Sequence, residues 1–300
     1  MKKFLVNAAV FVAVIFFATT NAQAVWRLDG SDENEIPRNW RTMIDAWHIE
    51  MYYDDGNHDG LEKLHASASG QPSLDGVKKL FEEISTIAAP NANIYLLDLR
   101  EESHGFAEGY PVSFYVEKNR GNYFRGFEES YELEQLESLL GKSTEFVPLG
   151  NFDKAHYKAV TFAPKKISTE KQAAKDAGFI YVRFPATDMI FPAPQVVDQF
   201  LVFVKSLHEN DWLHFHCQAG HGRTTTFLVF YDILKNPELS LEDICKRQYY
   251  LGGSNLLEKS EGNDFYANAQ NNRAELIKLF YKYAHENHGE SWSEFYLKNS

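Results

Sequence analysis

Apolar residues recur at helical or strand spacing along most of this chain, and the order in which the two periods alternate predicts its architecture. Leu74, Val77, Leu80, Phe81 and Ile84 share one face of a helix over 74–87. Ile94-Tyr-Leu-Leu-Asp98 is short and almost wholly apolar, as a strand buried on both faces is. From Thr169 the pattern predicts a helix (169–178), a strand (179–184), a proline-flanked loop (185–194), a helix (195–207), a strand (212–216), a tight loop and a helix (224–234). Lys235-Asn236-Pro237 closes that last helix, and another is predicted over 240–249. Within 195–207, Val197, Phe200, Leu201 and Val204 form one apolar stripe, as on a crossover helix packed on a sheet. Strands alternating with helices in this way predict an α/β fold, a parallel central sheet flanked by helices.

Two regions break the pattern. Residues 25 to about 70 carry neither period clearly and read as mostly irregular. Residues 106–165 hold two strand-like runs (112–116 and 159–162) around an acidic helix (128–140). That is long for a connection between sheet strands, so a small β-rich insert is expected there. The first 24 residues form a separate unit: Lys2 and Lys3, an apolar run from Phe4 to Ala18, then Ala22-Gln23-Ala24. This is the layout of a cleaved export signal, which predicts a periplasmic or secreted protein whose mature chain is 25–300. The apolar run is short for a bilayer span and no basic cluster follows it, so no stable membrane insertion is expected after cleavage.

Topology then brings chemistry together. Right-handed crossovers return the chain to the same sheet edge, where clefts form at the carboxyl ends of parallel strands. The loops after 94–98, 179–184 and 212–216 should therefore share one edge. Arg100-Glu101-Glu102-Ser103-His104, Asp188 and Cys217 are expected to meet there.

The last of these loops reads His216-Cys217-Gln218-Ala219-Gly220-His221-Gly222-Arg223-Thr224. A cysteine and an arginine with five residues between them, two of them glycine, suit a loop curled around one tetrahedral anion. Its amides can point inward, the glycines permit positive φ and close approach, and Arg223 adds a planar fork for two phosphoryl oxygens. Gln218, Ala219, Gly220, His221 and Gly222 would line the anion. A free cysteine is only a few per cent ionised at neutral pH. Arg223, the loop amides and the following helix N-terminus all favour the thiolate at Cys217. His216 is expected to fix the loop, and Thr224 to donate to the sulfur as it leaves. Asp188, 29 residues before Cys217 in a loop flanked by prolines, is the candidate general acid.

These residues resemble the active-site motif of the protein tyrosine phosphatase superfamily. The surroundings are similar to one branch, the bacterial PTP-like inositol polyphosphatases or cysteine phytases. The matching stretches are VWRLDG (25–30), PRNWRT (37–42), DLREESHG (98–105), PVSFY (111–115), PATDMIFPAP (185–194), DWLHFHCQAGHGRTTTF (211–227), RQYYLGG (247–253) and FYKYAHEN (280–287). The resemblance implies a phosphatase-like central sheet with a partial β-barrel in the insert. It also implies metal-independent hydrolysis of phosphomonoesters, phytate or less phosphorylated inositol phosphates, through a phosphocysteine, without a cofactor. Arg27 matches a family position that contacts substrate phosphate; His221 and Arg183 are further candidate cations.

Several positions depart from the family. Met189 stands where the relatives have His after the acid, and Gly150-Asn151-Phe152-Asp153 replaces Gly-Lys-His-Lys. Asn119 replaces an aspartate, and a late lysine falls near Tyr266, with Arg273 further on. The outer phosphate clamp is thinned while the catalytic groups are intact, so weaker discrimination among inositol phosphates is expected.

Charge changes the picture in one respect. The formal net charge is −12, and −14 once Lys2 and Lys3 are removed. So acidic a surface repels nucleic acid and anionic membranes, and a cleft for a polyanion must be locally basic. Of the two cysteines, Cys245 falls in the helix over 240–249 and is expected to face the core. Asp55-Gly56-Asn57-His58-Asp59-Gly60 matches half a calcium loop, but the twelfth position is Ala66, so it reads as a polar turn and no metal site is expected. The sequence leaves open an exported phosphotyrosine protein phosphatase, which would need a deep slot rather than a wide bowl, and a phosphate-binding module without turnover. It is silent on oligomeric state.

Overall fold

In the computed structural model, which describes residues 24–44, 57–123, 125–286 and 289–299, the α/β pattern closes into one central sheet. Its strands lie in the order β10 (Ile180–Ala186), β4 (Ile94–Arg100), β11 (Trp212–His216), β3 (Ala66–Ser69), β2 (Arg41–Thr42). Pairing is parallel from β10 to β3, and only the two-residue β2 runs antiparallel at the edge. Alternation along the strands assigns the two faces. Ile94, Leu96 and Trp212 pack with α1 (Leu74–Ile87) and α4 (Glu170–Ala177) on one side. Leu97, Leu99, Leu213 and Phe215 pack on the other with α5 (Pro194–Ser206), α6 (Gly222–Lys235), α7 (Leu241–Tyr250), α8 (Phe265–Glu286) and α9 (Trp292–Asn299). Both faces are covered, as a parallel sheet requires.

The stretch expected to be irregular is where the structure differs most from the pattern. Ala66–Ser69 is a fully buried strand between β11 and β2. It has no large apolar side chain because its inner face is a polar ladder. The Ser67 and Ser69 hydroxyls meet His214 Nδ1 and Nε2 at 2.9 and 3.0 Å, and Trp212 Nε1 donates to Ser67 at 2.9 Å. Val25–Leu28 (β1) is also a strand, and it lies inside a second sheet of order β8 (Val160–Phe162), β7 (Thr144–Pro148), β1, β6 (Tyr110–Tyr115), β5 (His104–Ala107), β9 (Ile167–Thr169). Leu28, Ala107, Val112 and Phe146 pack there beneath Leu136 of α2 (Glu129–Glu137). Residues 25–28 therefore complete the sheet of the β-rich segment, and Arg27 comes to the site on them.

Behind the active site, α6 is buried along nearly its whole length. Asp232 on it accepts from Arg247 Nε at 2.8 Å and Gln248 Nε2 at 3.0 Å, both on α7, and from Asn236 Nδ2 at 2.9 Å. Cys245 faces the core, and burial pushes its thiol up. Among the described residues no helix is long and apolar enough to cross a membrane. The export signal falls almost wholly on residues 1–23, and Asp55 and Gly56 of the polar turn belong to 45–56; both stretches lie outside the described residues.

Asp232→Ala leaves the Arg247 guanidinium buried and unpaired, so it should destabilise the fold by about 3–5 kcal/mol in urea unfolding. A loss under about 1 kcal/mol would mean that water, not Asp232, satisfies Arg247.

Candidate active site

The loop after β11 is held by its outward-facing carbonyls. Gln218 O accepts from Gln71 N at 3.1 Å, and Ala219 O accepts from Asn39 Nδ2 at 2.6 Å. A trans peptide points its N–H opposite to its C=O, so the Ala219 and Gly220 amides face the loop's centre. Gly220 has φ +76°, and a Cβ there would lie 2.5 Å from the Ser69 carbonyl carbon. Only glycine fits. Cys217 sits in this cradle, 3% exposed, at the floor of a cleft of about 340 Å³.

Arg223, in the first turn of α6, is oriented by Glu102. Its Nη1 and Nη2 donate to the two Glu102 oxygens at 2.6 and 2.9 Å, and Nη1 also donates to Ala186 O at 3.2 Å. A guanidinium has five N–H donors in one plane, so Nε–H and one Nη2–H remain, side by side on one edge. That edge is the fork available to two phosphoryl oxygens. At present Asp188 Oδ1 lies 3.3 Å from Nε, while Asn119 Nδ2 donates to Asp188 Oδ2 at 3.2 Å. The Asp188 side chain is 24% exposed.

Glu102 is itself buried between two cations. Arg100 Nε donates to it at 2.7 Å, and Arg100 Nη1 reaches Asp29 at 2.9 Å and Gln71 Oε1 at 2.8 Å. Burial raises the carboxyl's proton affinity, but Arg223 and Arg100 together outweigh it and hold Glu102 well below the usual carboxylate range. Asp29 lies 3.2 Å from Arg27 Nε. Alternating charges thus run Arg27, Asp29, Arg100, Glu102, Arg223, Asp188. They link the second sheet, the central sheet and the Cys loop.

The remaining sequence candidates fall into place unevenly. His216 is buried under the loop, with Nε2 3.4 Å from Glu170; burial, then Arg100 and Arg183, push it down to about 3, and the side-chain hydrogen bonding by which it was expected to fix the loop is not formed. Thr224 Oγ1 is buried, and the hydrogen bond to sulfur expected of it is not formed. Gln218, Ala219 and Gly222 line the cleft, while His221 stands at the exposed rim with Nε2 2.9 Å from Asn39. Partial burial, then the charges of Arg41 and Arg38, lower the proton affinity of His221. Arg183 is not a cation of the cleft. It is buried and engaged by Asp98, Glu132 and the carbonyls of Arg100 and Glu102, and it braces α2 against the sheet. Arg27 lines the cleft, but it pairs with Asp153.

Sequence reading missed several groups. Arg41 is fully buried near Cys217, its Nε and Nη2 without a hydrogen-bond partner among the described residues. Burial pushes it down to about 10, against the pull of the Cys217 charge. Arg38 donates to Asp153 and, more weakly, to Gln218 O. Arg273 approaches Gly222 and is drawn toward Asp188. The signal for Arg38, Asn39 and Arg41 was present as the matching PRNWRT stretch, which carried no assigned role. Asp98, His104 and Glu170 cluster closely enough to suggest a metal. Arg183 already stands 3.1 Å from Asp98, and His104 Nε2 meets Glu170 at 2.7 Å. Burial raises Glu170 and lowers His104, and with the Arg183 guanidinium already on Asp98 the cluster's charge is met from within the chain.

Known proteins share this arrangement of fold and loop. The PTP-like phytase family model, described by inositol hexakisphosphate, matches residues 149–235. The Mitsuokella multacida PTP-like myo-inositol phosphatase, solved in complex with myo-inositol-(1,3,4,5)-tetrakisphosphate, is 32% identical with a TM-score of 0.81, covering 91% of this chain and 49% of that one. A PTP-like phytase from Bdellovibrio bacteriovorus is 30% identical with a TM-score of 0.69, covering 92% of this chain and 95% of that one. Effector protein hopD2 of Pseudomonas syringae pv. tomato is 26% identical over 219 residues, 69% of this chain and 46% of that protein. The chain thus spans about half the length of the Mitsuokella and Pseudomonas relatives and nearly all of the Bdellovibrio one. It is built as a cysteine-loop phosphatase is built. The chain belongs to the PTP-like phytase family.

Glu102→Gln should misdirect Arg223 and lower kcat/KM on a phosphomonoester by about 10²-fold, the cost of a misplaced clamp. Its stabilising effect follows from its depressed proton affinity. It is present above the ordinary value of 4.5 and lost as pH falls below it. The variant should melt below wild type at pH 7, and the gap should close under acid. A gap independent of pH would show that Glu102 acts by shape alone.

Proposed function

We propose that this protein is an exported phosphomonoesterase that removes phosphate from inositol polyphosphates through a phosphocysteine. The observation that carries the reading is the Nε–Nη2 edge of Arg223, left open by Glu102 and met by Asp188, on a cleft whose floor is Cys217 and whose wall is Asp188. The Cys217 thiolate attacks phosphorus while two phosphoryl oxygens lie on that edge and the third faces the loop amides. Entering the step in its acid form, Asp188 leaves Arg223 for the ester oxygen and gives it that proton, so the sulfur–phosphorus bond forms as the phosphorus–oxygen bond breaks. Water then attacks the phosphocysteine, Asp188 takes a proton from it, and the thiolate departs with the loop and Arg41 beneath it. Every charge in this sequence is met by a protein group. The substrate class is supported by the family and by the inositol tetrakisphosphate complex of the Mitsuokella relative. Export is supported by the Lys2-Lys3, apolar and Ala-Gln-Ala pattern.

Phosphate release should be measured side by side from inositol hexakisphosphate, an inositol tetrakisphosphate and a phosphotyrosine peptide, with EDTA present. Inositol phosphates should be the better substrates. Cys217→Ser should abolish turnover and keep the fold. Asp188→Asn should cost about 10²–10⁴ on alkyl phosphates, the scale of a lost general acid, and much less on 4-nitrophenyl phosphate, whose leaving group needs no proton. A higher kcat/KM on the peptide than on every inositol phosphate would replace this reading with a tyrosine phosphatase. Turnover by the serine variant would remove the cysteine mechanism.

A further inference from the structure

Beside the cleft, Arg27 on its lining and Arg38 on the adjoining pocket hold a buried carboxylate between them. Arg27 Nη2 bonds Asp153 Oδ2, Arg38 Nη1 donates to Asp153 Oδ1 at 2.7 Å, and Gln218 Nε2 donates to Oδ2 at 3.2 Å. The Asp153 side chain is 2% exposed, and the Phe152 ring lies over the Arg38 guanidinium at 4.6 Å. Asp153 is carried there by α3 (Asn151–His156), which starts at Gly150 with φ +84°; Leu149 and Gly150 form the cleft wall. A buried carboxylate reaching two guanidiniums and an amide of the Cys loop has the contacts of a bound phosphate. Asp29 adds a second negative group at 3.2 Å from Arg27. The two arginines are therefore met by two carboxylates, and this end of the cleft offers an incoming polyanion no unbalanced positive charge.

We propose that Asp153 is a specificity-determining residue. From inside the chain it occupies the anion position that a second substrate phosphate would take on Arg27 and Arg38, and so turns the site toward sparsely phosphorylated inositols and away from the hexakisphosphate. Crowded phosphates must either displace a buried carboxylate or lie beside it, at a Coulombic cost that a substrate with one phosphate near the Cys loop avoids. This rests on the phosphomonoesterase reading above and names the substrate class within it.

The test is calorimetric binding in a Cys217→Ser background, which holds ligands without turning them over. The ligands are inositol hexakisphosphate and inorganic phosphate, each measured with Asp153 and with Asp153→Asn. Removing the charge should tighten hexakisphosphate about tenfold or more and steepen its salt dependence, while inorganic phosphate should shift by less than about threefold. Adding Arg27→Ala to Asp153→Asn should abolish most of that gain. Equal shifts for the two ligands, or no gain for the hexakisphosphate, overturn the proposal. Melting curves check the fold, with Asp153→Ser as the second variant; if neither folds, Asp153 is structural and the proposal falls. Because the readout is binding, it decides the role of Asp153 even if the wild type hydrolyses no inositol phosphate, the result that would sink the function proposed above.

Discussion

The active site depends on one carboxylate, Glu102, buried between Arg100 and Arg223. Each arginine is almost wholly removed from water, so without Glu102 two cations would face each other in a medium that cannot solvate them. With it, Arg223 is fixed in rotation as well as in place, because a two-oxygen acceptor meeting two terminal nitrogens permits one plane. That plane decides which edge of the guanidinium remains for a phosphoryl group. The same carboxylate passes its constraint through Arg100 to Asp29, and from there to Ser113 and Arg27 on the second sheet. The two sheets are thus registered at the site by alternating charge, which tolerates less slippage than apolar packing.

The sequence disclosed elements whose side chains repeat at their own period. β4, β10, β11, α1, α5 and α6 bury regular apolar stripes, and all were expected within a few residues of where they lie. β3 was invisible because Ala-Ser-Ala-Ser gives no hydrophobic signal. What buries it is a hydrogen-bonded ladder with His214 and Trp212, formed by residues about 145 positions away. β1 was missed for a related reason: its partners β6 and β7 come from the later β-rich segment. Among site residues, Cys217 and Arg223 were legible because the anion loop that needs them is local. Glu102 was legible as a neighbour, not as a clamp, since its role exists only once three loops converge. Arg183 shows the opposite failure. A lone arginine near a motif looks available until the structure supplies the carboxylates that meet it.

Those pairings bear on how an acidic protein could hold an anionic substrate. The chain carries −12 overall, yet the site contains Arg27, Arg38, Arg100 and Arg223 in close succession. Asp153, Asp29, Glu102 and Asp188 answer them, so the cluster is organised without being strongly positive. A field of that kind does not attract polyanions from a distance; it recognises one phosphoryl group at contact, by geometry. In the mechanism proposed above, what is then unbalanced is the charge of the thiolate and of the phosphoryl group itself. The α6 N-terminus meets part of it, and Arg41, buried near Cys217 with two nitrogens unpartnered among the described residues, meets more. The Cys217 charge draws on Arg41 in return, opposing the burial that would otherwise loosen its proton. A buried cation without a carboxylate is costly in a resting fold. It is tolerable where the chemistry itself brings the anion, and Arg41 lies near the cysteine on which the proposed mechanism places that anion.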